Sequence, residues 1–531
     1  MNFDLASLSD SQSISKEQAL LLFRQQEEKY QSQIDYLEEQ LRLLRNELFG
    51  RKSEKPPRED HDQIPLFNKQ PEVSDDTATE TEEDTVVIPS HSRRKRGRKP
   101  LPEHLPRVDV IHDLNDDEKM CACGHVMSRI GQEQCEKLDY IPARIQVLRH
   151  IRYKYACKHC EGVESDGSTV KIAPPPTQLI PKSNATEGLL AHVFTSKFAD
   201  GLPLYRQQKI FARLGLDLPR STMANWAIEA SIRCKPLIAL LQLEIRGGPL
   251  INVDETTLQV LKEPGRRDTS KSYMWLYRGG VPEKPALVYQ YAPSRSGQVA
   301  EDFIGNYQGY VQSDAFAGYN RLEDKPLIRL MGCWAHARRK FFAVIKVKKK
   351  IRSNRKNPKS LADDALEFIG QLYRLEKQAR EQELGPDQIR QLRQDKAVPV
   401  LNQFKKWLNE KSPLAPPKSL LGEAIAYTLG NWPRLIVYVE DGLLKPDNNA
   451  AENALRPFVV GRKNWLFAGH PRGAEATAIF FSLIETAKAN RLEPYAYLKY
   501  VFERLPLTDE KDYRRLLPGN VDRDATAIPS L

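Results

Sequence analysis

Apolar residues recur every three or four positions from Leu20 to Leu48, and this spacing predicts a long amphipathic helix. One register reads Leu20, Glu27, Ile34, Leu41 and Leu48, and the other Phe23, Tyr30, Leu37 and Leu44. The alternation of four and three is that of a coiled-coil seam, broken only by Glu27. Residues 1–50 are therefore expected to pair protomers, because the segment that follows supplies no core. From 185 to 236 the pattern is again helical, with Gly215 ending one helix and Ser221 expected to cap the next. This is a helix–turn–helix outline, with Arg220, Ser221, Thr222 and Asn225 as candidate DNA contacts. From 248 the period changes: GPLINVDETTLQVL, SYMWLYRGGV and PALVYQYAP read as three successive strands. A helical piece, a strand (GYVQSDA), another strand (PLIRLMGCW) and a basic helix (AHARRKFFAVIKVKKK) follow.

That order matches a ribonuclease-H-like sheet, in which the first strand is central and the fourth lies beside it. The expected architecture is multidomain α+β. It divides into a coiled coil (1–50), a disordered linker with a basic arm (51–107), a zinc-binding module (108–175) and a helix–turn–helix DNA-binding region (180–240). A first catalytic part (245–345), a helical insertion (346–430), a second catalytic part (431–505) and a C-terminal tail (506–531) complete it.

Charge sharpens the picture more by its placement than by its sum. The net charge of +10 suits an anionic partner but is modest for 531 residues. Within the linker, seven acidic residues lie between Glu72 and Asp84, and six basic ones follow between Arg93 and Lys99. Arg94, Arg96 and Arg98 in the RGRKP-containing run have the character of an arm that enters a narrow minor groove or clamps phosphates. Seven cysteines, an odd number in a long chain, argue against a secreted disulfide framework. The N-terminus lacks a signal-peptide pattern and no run of ~18 apolar residues occurs, so a cytoplasmic setting without a membrane span is expected.

Two cysteine pairs, Cys121 and Cys123 in MCACGH and Cys157 and Cys160 in YACKHCEG, have the makings of a tetrahedral zinc site. The alternating run KLDYIPARIQVLRHIRYKYA between them predicts a β-hairpin. The first pair is a tight CxC, so His125, Cys135 or His159 can substitute as a ligand.

Three acidic strings carry the candidate chemistry. Asp254 ends the apolar run of INVDET, Asp314 that of YVQSDAFAGY, and Glu452 sits in the helical DNNAAENALRP. Two carboxylates about 4 Å apart repel by roughly 4 kcal/mol at an effective dielectric near 20, so such a cluster favours bound Mg²⁺, here two ions. Glu440 competes for the third position but precedes the turn signal Asp441-Gly442, whereas a helix presents Asn449, Glu452 and Arg456 on one face. His336 in GCWAHARRKFF can orient a phosphate or water, or simply pack beside Trp334. Arg338, Arg339, Arg462 and Lys463 are candidate phosphate contacts. Trp465 and Phe467 read as core more than as base-stacking residues.

These strings resemble those of the DDE transposases of bacterial insertion sequence 66. The likeness runs from RNELFGRKSEK to KANRLEPYAYL and rests on KLDYIPARIQVLRH, KFADGLPLYRQQKIFARLG, NVDET, QSDAFAGYN, GCWAHARRKFF and PDNNAAENALRPFVVGRKNWLFAG. It implies catalytic carboxylates at Asp254, Asp314 and Glu452, a zinc-binding region, an upstream helix–turn–helix and a helical insertion before the glutamate. It further implies a nucleoid setting, double-stranded terminal-repeat and target DNA as partners, a homodimer or higher oligomer, and accessory proteins of the same element. Two departures stand out: CxC replaces the usual first CxxC, and Asn453 follows Glu452 where the family often has Arg. A DNA-binding regulator with a vestigial nuclease fold and a nuclease acting on branched DNA are the other readings of the same residues.

Overall fold

The computed structural model of the chain describes residues 16–49, 145–156, 170–351 and 360–522. The described residues fall into two units, 16–49 with 177–351 and 360–522 in one, and 145–156 with 170–176 in the other. Helix α1 (Lys16–Phe49) in the first unit covers the predicted heptads. Its seam residues Phe23, Tyr30, Ile34, Leu37 and Leu41 are exposed. The face it buries is polar: Ser32 and Glu39 are covered, Glu28 pairs with Lys411 at 2.9 Å, and the Glu39 carboxylate accepts from Leu420 N at 3.3 Å.

In the second unit, β1 (Lys154–Ala156) pairs antiparallel with β2 (Val170–Ile172). This corrects the expected hairpin in part. The end of the alternating run pairs with a strand beyond the second cysteine pair, and among the described residues of the run 145–153 carry no assigned strand. The run's first half, the four zinc-candidate cysteines, Arg94, Arg96 and Arg98 lie outside the described residues.

The first unit continues with α2 (Glu187–Phe198), α3 (Leu204–Arg213) and α4 (Arg220–Arg246). Gly215 follows α3 at φ +81, a conformation that costs glycine nothing, and Leu216 N closes the end on Phe211 O at 3.0 Å. Helix α4 starts two residues earlier than expected. Pro219 stands at its N-cap and the Gln208 side chain accepts from Arg220 N at 3.3 Å, so Ser221 lies inside the first turn instead of capping it. The buried stripe Met223, Trp226, Ala230, Cys234, Leu237, Leu241 and Ile245 runs the full length of α4 and joins the core of the sheet. Residues 180–240 therefore lack a core of their own, because so long a stripe needs more apolar surface than a three-helix corner offers.

The sheet follows the predicted order. Strands β3 (Leu250–Val260), β4 (Lys271–Val281) and β5 (Lys284–Ala292) form an antiparallel meander. After α5 (Gly297–Ile304), β6 (Gly309–Gln312) adds parallel to β3 and β7 (Ile328–Met331) parallel to β6, giving the order β5-β4-β3-β6-β7. Next come α6 (Trp334–Ile351) and the helical insertion: α7 (Leu361–Glu381), α8 (Pro386–Leu392), α9 (Val398–Lys411), α10 (Leu420–Gly430) and α11 (Trp432–Leu435). The insertion builds a second core around Trp334, Phe341, Ile369, Phe404 and Trp432. Its buried Arg393 pairs with Glu376 and donates to the carbonyls of Tyr438, Asp441 and Leu444, each at 2.8 Å. That one side chain anchors the loop leading back to the sheet.

Helix α12 (Asn449–Trp465), β8 (Phe467–Ala468, parallel to β3), α13 (Pro471–Ala489) and α14 (Pro494–Arg504) complete the unit. Helix α13 is buried nearly all round and lies along β5. Its Thr486 and Ser482 hydroxyls accept from Leu287 N at 3.0 Å and Tyr289 N at 2.8 Å, which satisfies the free edge of the sheet. Thr486→Val is expected to orphan a buried amide and lower stability by ~1–2 kcal/mol, read as a lower denaturant midpoint. The segment expected as a tail from 506 packs into this core through Leu516, Leu517 and Val521, because Tyr497 donates to Leu516 O at 3.0 Å and seats it.

Candidate active site

The register of the sheet brings the two aspartates together. On the parallel strands β3 and β6, Asn252 stands opposite Gln312. Asp254 and Asp314 each follow two residues later, so the same ~6–7 Å of chain carries both past that pair. Asp314 lies just beyond β6, where its Oδ1 accepts from Phe316 N at 2.9 Å in an Asx-type turn. Gly297 abuts the Gly318 carbonyl so closely that a Cβ would not fit, which holds α5 against the turn that follows Asp314. Glu452 occupies the first turn of α12. Its charge and that of Asp314 both act on the Asp254 carboxyl, so the three lie within electrostatic reach of one another.

A buried amide network ties the three carriers together. Asn252 Nδ2 donates to Gln312 Oε1 at 2.8 Å and to Asn448 Oδ1 at 3.0 Å. Asn448 Nδ2 donates to Val253 O at 2.9 Å, and its backbone N–H to Cys333 Sγ at 3.2 Å. Gln312 Nε2 donates to Gly332 O at 3.2 Å and Lys445 O at 3.0 Å. Each carboxylate thus follows an interlinked amide: two residues on for Asp254 and Asp314, four for Glu452. In the sequence Asn448 merely falls near the start of the helical string DNNAAENALRP, and Asn252 and Gln312 stand within strands. Single amides in strands carry no pattern of their own.

Burial first, then the neighbouring Glu255, Glu452 and Asp314 charges, push the Asp254 carboxyl up to about 8. Burial likewise raises Glu255, opposed by the Tyr319 hydroxyl, which donates to it, and by Arg295. Arg295 reaches Glu255 at 2.5 Å and Asp314 at 4.0 Å while stacking 3.9 Å over the Phe316 ring. Neither Arg295 nor Tyr319 was singled out in the sequence, because each is distant in the chain. On α6, His336 and Arg339 lie one turn apart and both face Glu452: Arg339 Nη2 is 3.2 Å from Oε2, and His336 Nδ1 3.7 Å from Oε1. Burial lowers the His336 pKa, against the opposing effect of Glu452.

The remaining candidates separate. Glu440 pairs with Arg329 of β7 at 2.7 Å. Arg339, expected on phosphate, is taken up by Glu452, while Arg338 is exposed. Arg462 donates to Thr256 Oγ1 at 3.1 Å and to Thr257 O, fastening α12 to β3, whereas Lys463 is exposed. Arg220, Ser221 and Asn225 are exposed at the start of α4. Arg456 is exposed on α12, and Asn449 N donates to Asp447 Oδ1 at 3.2 Å. Trp465 packs edge-on against Phe458 at 5.6 Å, as expected of a core residue, but Phe467 is 45% exposed.

The donor set fits a hard divalent cation. Asp254, Asp314 and Glu452 offer only oxygen, the donor type such cations take, and Asp254 is raised chiefly by burial and then by its acidic neighbours. Glu452 Oε1 is in addition a buried atom without a hydrogen-bond partner.

Comparison with known proteins gives the family of the chain. The family model "Transposase IS66 family" matches residues 182–476, which include all three carboxylates. "Zinc-finger binding domain of transposase IS66" matches 118–161, spanning both cysteine pairs. "Transposase C of IS166 homeodomain" matches 36–110 and "IS66 C-terminal element" 482–518. Among similar proteins of Sinorhizobium fredii, the uncharacterized protein y4jD is 35% identical over 80% of this chain and 82% of its own length. A second, y4hP, is 29% identical over 93% of this chain and 90% of its own. Among the described residues no helix is long and apolar enough to cross a membrane. With more than half its length matched by one family model, the chain belongs to the IS66 family of transposases.

Proposed function

We propose that this transposase binds the terminal inverted repeats of its element and cleaves and joins DNA strands at Asp254, Asp314 and Glu452. The observation that carries the reading is the convergence of these three carboxylates from two neighbouring strands and one helix. The sheet order, with a three-stranded antiparallel meander and two parallel additions, supports a ribonuclease-H-like fold for the domain. Two Mg²⁺ ions held there would activate the attacking water or 3′-hydroxyl and stabilise the leaving oxygen.

The protein's own part is positional. The amide network fixes the spacing of the carboxylates, and Arg339 orients Glu452 through Oε2. Arg295 pairs with Glu255 and Arg339 with Glu452, whereas Asp254 has no salt bridge among the described residues. Arg338, Lys463 and the exposed start of α4 offer contacts to phosphate and base edges. The zinc-finger region and basic arm add recognition of the repeats, and the exposed seam of α1 pairs protomers so that each serves one end. No covalent protein–DNA intermediate is needed.

The test is a Mg²⁺-dependent nicking and joining assay on repeat-end DNA, with a nuclease footprint of the bound ends. Protection of the repeats with metal-dependent joining is the expected result. Protection without any cleavage indicates a regulator, and cleavage of branched DNA regardless of sequence indicates a structure-specific nuclease.

A further inference from the structure

We propose that His336 Nδ1, together with Glu452 Oε1, is a direct ligand to a divalent ion at the carboxylate cluster. This rests on the three-carboxylate reading above and adds a nitrogen donor to it. Both atoms are buried and lack a hydrogen-bond partner. Unpartnered buried polar atoms are rare in folded proteins and call for a reason. Here two of them face each other at 3.7 Å. That is too long for a hydrogen bond between them, yet within twice the ~2.1 Å length of a metal–ligand bond, so one ion can bridge them.

The surroundings hold both atoms in place and leave them open. Glu452 Oε2 is occupied by Arg339 at 3.2 Å, so only Oε1 is presented. His336 sits in the first turn of α6, whose start is fixed by Trp334 N on Pro446 O at 2.9 Å and Trp334 Nε1 on Leu435 O at 2.8 Å. Cys333 Sγ also lies within 4.8 Å of a ligand atom of each of the two residues, but it already accepts from Asn448 N at 3.2 Å. Nitrogen, not sulfur, therefore completes the set. An imidazole in an otherwise oxygen shell moves the preference from Mg²⁺ toward Mn²⁺ and later transition ions.

The test uses the full chain loaded with Mn²⁺ and pulsed electron paramagnetic resonance. The expected result is a nitrogen coupling from directly bound imidazole that changes when histidine is ¹⁵N-labelled, a readout needing no substitution. His336→Gln is expected to remove the coupling and weaken Mn²⁺ binding by at least ~10-fold, the lower end of the loss seen when a supporting partner is removed. Mn²⁺ binding that depends on Asp254 but shows no histidine coupling would overturn the role of His336 and leave the carboxylates standing. Mn²⁺ binding that is unchanged in Asp254→Asn would overturn the carboxylate reading itself.

Discussion

Asp254→Asn is expected to abolish strand joining, by ~10³-fold or more, while binding of terminal-repeat DNA is retained. Losing one ligand of a metal-assisted phosphoryl transfer removes several kcal/mol of transition-state stabilisation, and each 1.36 kcal/mol is tenfold in rate. Among the described residues Asp254 makes no ion pair with an exposed basic side chain, so a gel-shift with repeat DNA is expected to be unaffected. The same change has a signature in stability. The Asp254 carboxyl titrates near 8 when folded against 3.8 in the unfolded chain. Without metal, the folded state therefore holds a proton between about pH 4 and 8 that the unfolded state has released. Stability is then fully present below that window and falls as pH rises through it. The variant lacks this group, so its melting temperature is expected to change less with pH and to exceed that of the metal-free parent at pH 8. Mg²⁺ is expected to stabilise the parent and not the variant. Joining activity that survives in Asp254→Asn would remove the catalytic assignment.

Asn448→Leu is expected to damage both fold and chemistry. The side chain is 1% exposed and bonds Asn252 Nδ2 and Val253 O. Leucine keeps the volume but leaves those two buried groups short of a partner, at a cost of ~2–4 kcal/mol. It also frees the start of α12 from β3, and displacement of a reacting group by about 1 Å can cost ~10²-fold in rate. The expected outcome is a lower melting temperature with joining reduced ~10²-fold, partly restored by high Mg²⁺. A variant that melts early but joins at the parental rate would show the network to be structural only.

Much of the catalytic unit is legible in the chain because its strands alternate and end in recognisable turns. The meander from Leu250 to Ala292, the helix after it and the strand before Asp314 all form where the pattern places them. The preference for Glu452 over Glu440 followed from its helical setting; in the structure Glu440 pairs with Arg329 at 2.7 Å and Glu452 with Arg339 at 3.2 Å. Less legible was the fate of polar residues. Arg339 and Arg462 look in sequence like phosphate contacts, yet each has an internal partner supplied by a strand or helix more than a hundred residues away. Charge alone does not say whether its nearest counter-charge belongs to the protein or to a ligand.

Local pattern thus determined the elements, the helical insertion, the exposed seam of α1 and the identity of the acidic strings, because periodicity and turn chemistry act over a few residues. Tertiary structure alone decided how those strings meet. The register of Asn252 against Gln312, the bridge from Asn448 to β3, and the facing of His336 and Arg339 toward Glu452 join residues 60, 196 and over 110 positions apart. Hydrogen bonds of that range depend on which surfaces pack together. The packing is set by the whole core and by no single segment of it.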